Sequence, residues 1–155
     1  LWAALRGTNS EEDRWLYVRA LSADPNPARA KQLLEASVAG WLPPNVATEL
    51  PGMVGDEPVH AAQAYGFVAA HWPRLAKQAG SGVVGARAWL LPGAADGFSE
   101  RAAADRLRED QRRLAGPTGA APAETVAAAI EARTALRERE AERLGASLAS
   151  WSPAR

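Results

Sequence analysis

The stretch that decides the fold is Pro58-Val-His-Ala-Ala-Gln-Ala-Tyr-Gly-Phe-Val-Ala-Ala-His-Trp-Pro-Arg-Leu75. It carries almost no charge and is rich in helix formers, and Val59, Tyr65, Phe67, Val68 and Trp72 project in several directions around a 3.6-residue wheel. A surface helix shows one apolar stripe, whereas a helix apolar nearly all round is covered on most sides by other helices. Pro58 suits a first helical turn, where its missing N–H has no partner to lose. Pro73 ends or sharply kinks the helix, because proline disfavours the α conformation in the residue before it. The stretch therefore predicts a central, largely buried helix followed by a short one over Pro73–Gln78.

Towards the N-terminus, Leu1–Arg6 reads as a short helix closed by Gly7. Asn9 or Ser10 caps the next helix: Ser10 with Asp13 forms a capping-box pattern, and Glu11, Glu12 and Asp13 sit where the helix dipole favours negative charge. Trp15, Val18, Leu21 and Ser22 continue at helical spacing until Asp24-Pro-Asn-Pro. Beyond it Ala30, Leu33, Leu34, Val38 and Trp41 form an i, i+3/i+4 stripe. Leu42 to Glu57, with its prolines and glycines, predicts a long loop.

Towards the C-terminus, Gly80-Ser-Gly-Val-Val-Gly85 precedes a short helix, Ala86–Leu91, stopped by Pro92-Gly93. Ser99 and Glu100 open a helix to about Leu114. Pro122 starts the longest one, about 30 residues to Trp151 and roughly 45 Å in length. No stretch alternates apolar and polar residues at strand length. The expectation is an all-α chain: a curved stack of antiparallel helix pairs, about seven or eight helices in one domain. Repetition of helix pairs is suggested, but no standard repeat signature is present.

The totals narrow the function. Eighteen basic and 18 acidic residues are interspersed, for a formal net charge of 0. Nucleic-acid and anionic-membrane surfaces need clustered excess charge, so neither partner is expected. With no cysteine there is no disulfide, thiolate metal site or cysteine nucleophile. No apolar run approaches the roughly 18 residues that cross a bilayer. Compartment stays open, cytoplasmic and periplasmic alike. The opening Leu1-Trp-Ala-Ala-Leu-Arg reads as the tail of a helix already under way, which predicts a piece of a longer polypeptide.

Residues 80–85 match the dinucleotide-binding letters G-x-G-x-x-G. That motif works only where a strand feeds in and a helix leads out, so that backbone N–H groups meet the pyrophosphate. Here helix is predicted on the incoming side, and an inter-helix loop is the better reading. The two histidines, His60 and His71, lie about 16 Å apart along a helix and cannot share a metal. Each reads as a hydrogen-bonded histidine at a helix edge. The alternating charges from Arg101 to Arg113 read as a solvated face. In the last helix Val126, Ile130, Leu144, Leu148 and Trp151 share a face that Arg133, Arg137 and Glu140 interrupt. Either the helix protrudes past its neighbours there, or Arg137 and Glu140 pair locally, or the three form a polar patch turned towards a cavity.

Taken in order, the motifs resemble the C-terminal helical domain of the zinc aminopeptidases of the alanyl, puromycin-sensitive and endoplasmic-reticulum type. Leu1-Trp2 looks like that domain's "LW" helix, and Arg19-Ala-Leu-Ser-Ala-Asp-Pro25 like its "ALA…DP" turn, with Leu33-Leu34 in the helix after it. Ala64 to Leu75 resembles the segment A-W-x-F-(V/L)-x-x-N-W-x-x-L, with Tyr65 for the usual Trp and His71 for the usual Asn. Phe98-Ser99 and the long final helix complete the match, although Glu140 stands near the place of a mid-helix Trp.

In that family the zinc, its ligands and the general-base Glu belong to a preceding catalytic domain, so the resemblance implies no cofactor in this chain. Its partners would be the N-terminal catalytic domain of the same polypeptide and the peptide substrate. The implied role is a non-catalytic lid that encloses a peptide chamber, with Arg133, Arg137 and Glu140 as candidate chamber-facing residues. A free-standing helical scaffold for a protein partner is the alternative, favoured if several of the 6 tryptophans form an exposed patch.

Overall fold

A computed structural model describes residues 1–80 and 85–151, without the side chains of residues 118, 149 and 150. Among these residues there is no strand, and the chain forms a stack of helix pairs. The helices are α1 (Trp2–Gly7), α2 (Glu11–Ser22), α3 (Pro27–Ala39), α4 (Pro44–Gly55), α5 (Ala61–Ala70), α6 (Trp72–Gly80), α7 (Ala86–Ala95), α8 (Arg101–Leu114) and α9 (Ala120–Ser150). A single 3₁₀ turn, Pro117–Gly119, joins the last two.

The starts follow local chemistry. Ser10 Oγ accepts the Asp13 N–H at 3.2 Å, capping α2 behind its acidic first turn. Asn26 Oδ1 accepts the Ala28 N–H at 2.9 Å, and Pro27 supplies the first helical residue of α3. Gly40 closes α3 at φ +86°, a conformation that costs a glycine little.

The centre of the fold is not where the sequence places it. Residues 44–55, expected to lie in a loop, form α4, and Val46, Ala47, Leu50 and Val54 are all but completely buried. Pro44 begins this helix instead of preventing it, and Pro51 lies inside it. The largest helix–helix contacts are those of α4 with α7 and of α8 with α9.

By contrast α5 is covered on one side only. Ala61, Ala64, Tyr65 and Val68 are buried, while Ala62, Gly66 and Ala70 are exposed and Val59 stands 71% open in the preceding turn. What reads as apolarity all round is one large-residue face backed by small residues that water tolerates. The break also comes earlier than expected, at His71, so Trp72 and Pro73 open α6.

Helix α7 runs past Pro92 to Ala95 instead of stopping before it. An interior proline removes the N–H that would bond the carbonyl four residues back, here Ala88. The Gln111 amide of α8 takes that place, its Nε2 donating to Ala88 O at 3.0 Å and to Gly119 O at 3.1 Å.

Two triplets, Leu50-Pro51-Gly52 and Leu91-Pro92-Gly93, occupy matching places in α4 and α7. Gly52 faces Gly93, and Gly55 faces Ala94 and Gly97, so the contact points advance together and the helices run in the same direction. A side chain at Gly55 would come within 2.5 Å of the Ala94 carbonyl oxygen, and one at Gly97 within 2.3 Å of the Gly55 oxygen. Glycine is what lets the two backbones meet. The Gly97 N–H closes the contact by donating to Gly55 O at 3.0 Å.

Helices α8 and α9 form an antiparallel hairpin. Gln111 meets Gly119 near the turn, Arg108 meets Glu124 and Glu131, and Ser99 meets Thr134 and Arg137 at the far end. Beyond Ala135 the described side chains of α9 are almost all exposed.

Candidate functional site

Arg133 lies part-buried against the α7–α8 connection. Its guanidinium donates to Phe98 O at 3.2 Å, to Asp96 O and to the Asp96 carboxylate at 3.1 Å. Next to it Thr134 Oγ1 donates to Ser99 O at 2.9 Å. Arg137 is exposed and reaches Ser99 Oγ at 2.8 Å and Glu100 at 3.6 Å. Glu140 lies one turn further along and accepts from Arg143 at 3.1 Å, with Arg139 at 3.9 Å. The three candidates thus occupy one line along α9, but their partners divide them. Arg133 and Arg137 bind residues 96–100, while Glu140 is paired within its own helix.

The charge run of α8 is not a plain solvated face. Arg108 holds Glu124 at 2.8 Å and Glu131 at 2.6 Å across the hairpin, besides Asp105 at 3.4 Å on its own helix. Asp110 accepts the buried Tyr65 hydroxyl at 2.9 Å and pairs with Arg113. Arg106 lies over the Tyr65 ring at 5.5 Å, and Phe98 meets that ring edge-on at 5.7 Å. These contacts fasten α5 and α9 to opposite sides of α8.

Burial pushes the Asp110 carboxyl up, but hydrogen bonds from Arg113 and Tyr65 outweigh it and leave the group below the usual carboxylate range. Arg108 likewise lowers Glu124 and Glu131. A group whose folded pKa lies below its unfolded one contributes stability above the unfolded value, and that stability is lost as pH falls through the folded one. The wild-type thermal midpoint should therefore exceed that of Arg108→Met at pH 7. The gap should close as pH falls below the usual carboxylate values of about 4. A gap constant from pH 7 to 3, followed by circular dichroism, would show that these pairs contribute nothing.

The histidines do not converge on a metal. His60 is buried at the start of α5, its Nε2 2.8 Å from Asp24 O, and so ties the α2–α3 turn to that helix. His71 stacks on Phe67 with ring centroids 4.1 Å apart, its Nδ1 3.0 Å from Phe67 O. Among the described residues no three His, Cys, Asp or Glu side chains group as metal ligands. The glycine motif falls mostly on residues 81–84, which lie outside the described residues. On either side of them stand α6 and α7.

Two clefts of similar size open on the surface. One, about 600 Å³, lies between α1 and α3 beside Trp2, Arg6, Glu35 and Trp41. The other, about 560 Å³, lies between α4 and α7 beside Glu49, Met53, Asp56 and Trp89. The second was hidden in the sequence, because one of its walls is the helix that reads as a loop. Its only early sign was Trp89, a large aromatic on a helix predicted to be short. Comparison of the chain with protein-family models, curated proteins and solved structures gives no match.

Proposed function

We propose that the chain is a non-catalytic covering domain: a helical wall that closes over the catalytic domain of a zinc aminopeptidase and limits which peptides enter. The observation that carries this reading is the end of α9. Leu144, Leu148 and Trp151 are 63%, 67% and 80% exposed on one face of a helix that has left its own core behind. Bare leucines and a tryptophan at helical spacing suit a neighbouring domain better than water. The order of the family-like motifs supports the reading, and so does the stacking of helix pairs, which produces a curved surface by a small rotation per pair. In this arrangement Arg137 and Glu140, on the stretch where α9 leaves the core, would face the chamber, and Arg133 would fix the helix to the wall.

A free-standing scaffold is less well supported, because the exposed tryptophans are divided among elements: Trp41 after α3, Trp89 on α7 and Trp151 at the end of α9. The reading frame upstream of Leu1 tests the choice. An in-frame H-E-x-x-H followed by a distant Glu is expected; a start codon just before Leu1 would leave the scaffold standing instead. Stoichiometric zinc in the purified chain together with hydrolysis of an aminoacyl amide would overturn the non-catalytic assignment.

A further inference from the structure

We propose that the cleft between α4 and α7 binds the arginine or lysine side chain of an extended peptide segment. The proposal stands on the cleft itself and holds for a lid and a scaffold alike.

The charge in the cleft has one sign. Glu49 in α4 and Asp56 just after it lie seven residues apart, both exposed, and among the described residues no basic side chain lines the cleft. Neither carboxylate has an ion-pair partner among the described residues. Asp96, another acid near Asp56, is already held by Arg133 at 3.1 Å. Two acids with no base beside them in one concavity are complementary to a cation.

The opposite wall supplies what a cation on an apolar stem needs. Trp89 is 51% exposed on α7, and half-buried Met53 of α4 adds apolar surface facing it. An indole face attracts a guanidinium or ammonium, and the methylenes behind that head group cover apolar surface. Gly52 and Gly93, whose backbones meet without side chains, line the cleft where the two walls come together. A volume of about 560 Å³ suits a long side chain with its flanking backbone. Partial burial, then Asp96 and Glu57, push the Asp56 carboxyl up.

The α1–α3 cleft makes a useful contrast. It is as large and has two tryptophans, but it holds charges of both signs, Glu35, which pairs with Lys31 at 3.9 Å, and Arg6, which lies over Trp41 at 5.6 Å.

The test is a titration of the ¹⁵N-labelled 155-residue chain with acetyl-Ala-Arg-Arg-Ala-amide, whose blocked ends carry no charge. Saturating shifts are expected at the Gly52 and Gly93 amides and the Trp89 indole N–H, with Kd on the order of 1 mM. Glu49→Gln/Asp56→Asn and Trp89→Ala should each weaken binding roughly tenfold. All three positions are exposed, and an unchanged circular dichroism spectrum verifies the fold. Any of four results overturns the proposal: no saturation, equal binding of acetyl-Ala-Glu-Glu-Ala-amide, an unaffected double variant, or the same shifts from magnesium chloride alone.

Discussion

Gly55→Ala should lower the stability of the chain by about 2–3 kcal/mol, although it adds a single methyl group. The new Cβ would lie 2.5 Å from the Ala94 carbonyl oxygen and 2.7 Å from the Ala94 Cα. Both are backbone atoms of the facing helix, so no rotamer change relieves the overlap. Relief requires α4 and α7 to separate, which loosens Val54, Leu90, Leu91 and Ala94, all of them buried. For a chain of this size the thermal midpoint should fall by roughly 5–10 °C. Gly66→Ala is the matched control: the same chemical change inside α5, at an exposed position where a Cβ meets nothing within 4 Å. There the lost backbone freedom of the unfolded chain decides the sign, and a gain of roughly 0.5–1 kcal/mol is expected. Urea titrations of both variants check the pair. Similar losses in the two would mean that the α4–α7 contact is not close enough to matter.

Gln111→Ala should cost about 3 kcal/mol, the second largest effect. Gln111 is only 1% exposed, and its amide is the substitute donor for the Ala88 carbonyl that Pro92 leaves open, as well as for Gly119 O. Truncation strands both carbonyls and leaves a void. Gln111→Met separates the two contributions. It restores most of the volume and removes the buried Oε1, which has no hydrogen-bond partner among the described residues, but cannot donate. Methionine should therefore lose clearly less than alanine while remaining below wild type. In hydrogen exchange, amides in the last turn of α7 should lose protection in both variants. Wild-type protection there would show that the carbonyl at Ala88 needs no replacement donor.

These two positions also explain what could be read from sequence and what could not. Helices α2, α3, α8 and α9 were legible because their signals are local: Ser10 as a cap, the Asp24-Pro-Asn-Pro break, and leucine or alanine stripes at helical spacing. Helices α4 and α7 carry the opposite local signal, a Leu-Pro-Gly triplet in mid-helix, and proline there normally argues for an end. In α7 its cost is met by an amide on another helix, which nothing near Pro92 announces. Read together, the two triplets were the available clue, since their recurrence marks equivalent places in neighbouring pairs. The 58–75 stretch misled for a related reason: alanine and glycine count as apolar on a wheel but do not oblige a face to be covered.

For the candidate residues, sequence placed Arg133, Arg137 and Glu140 on one face but could not show that residues 96–100 come up to meet the first two. That meeting depends on where α7 ends, three residues after the proline expected to stop it.

Where Gly52 meets Gly93 and Gly55 meets Ala94, main chain of α4 lies against main chain of α7 with no side chain between them. The Gly97 N–H on the oxygen of Gly55 ties down the lengthwise register at that point, just past the end of α7.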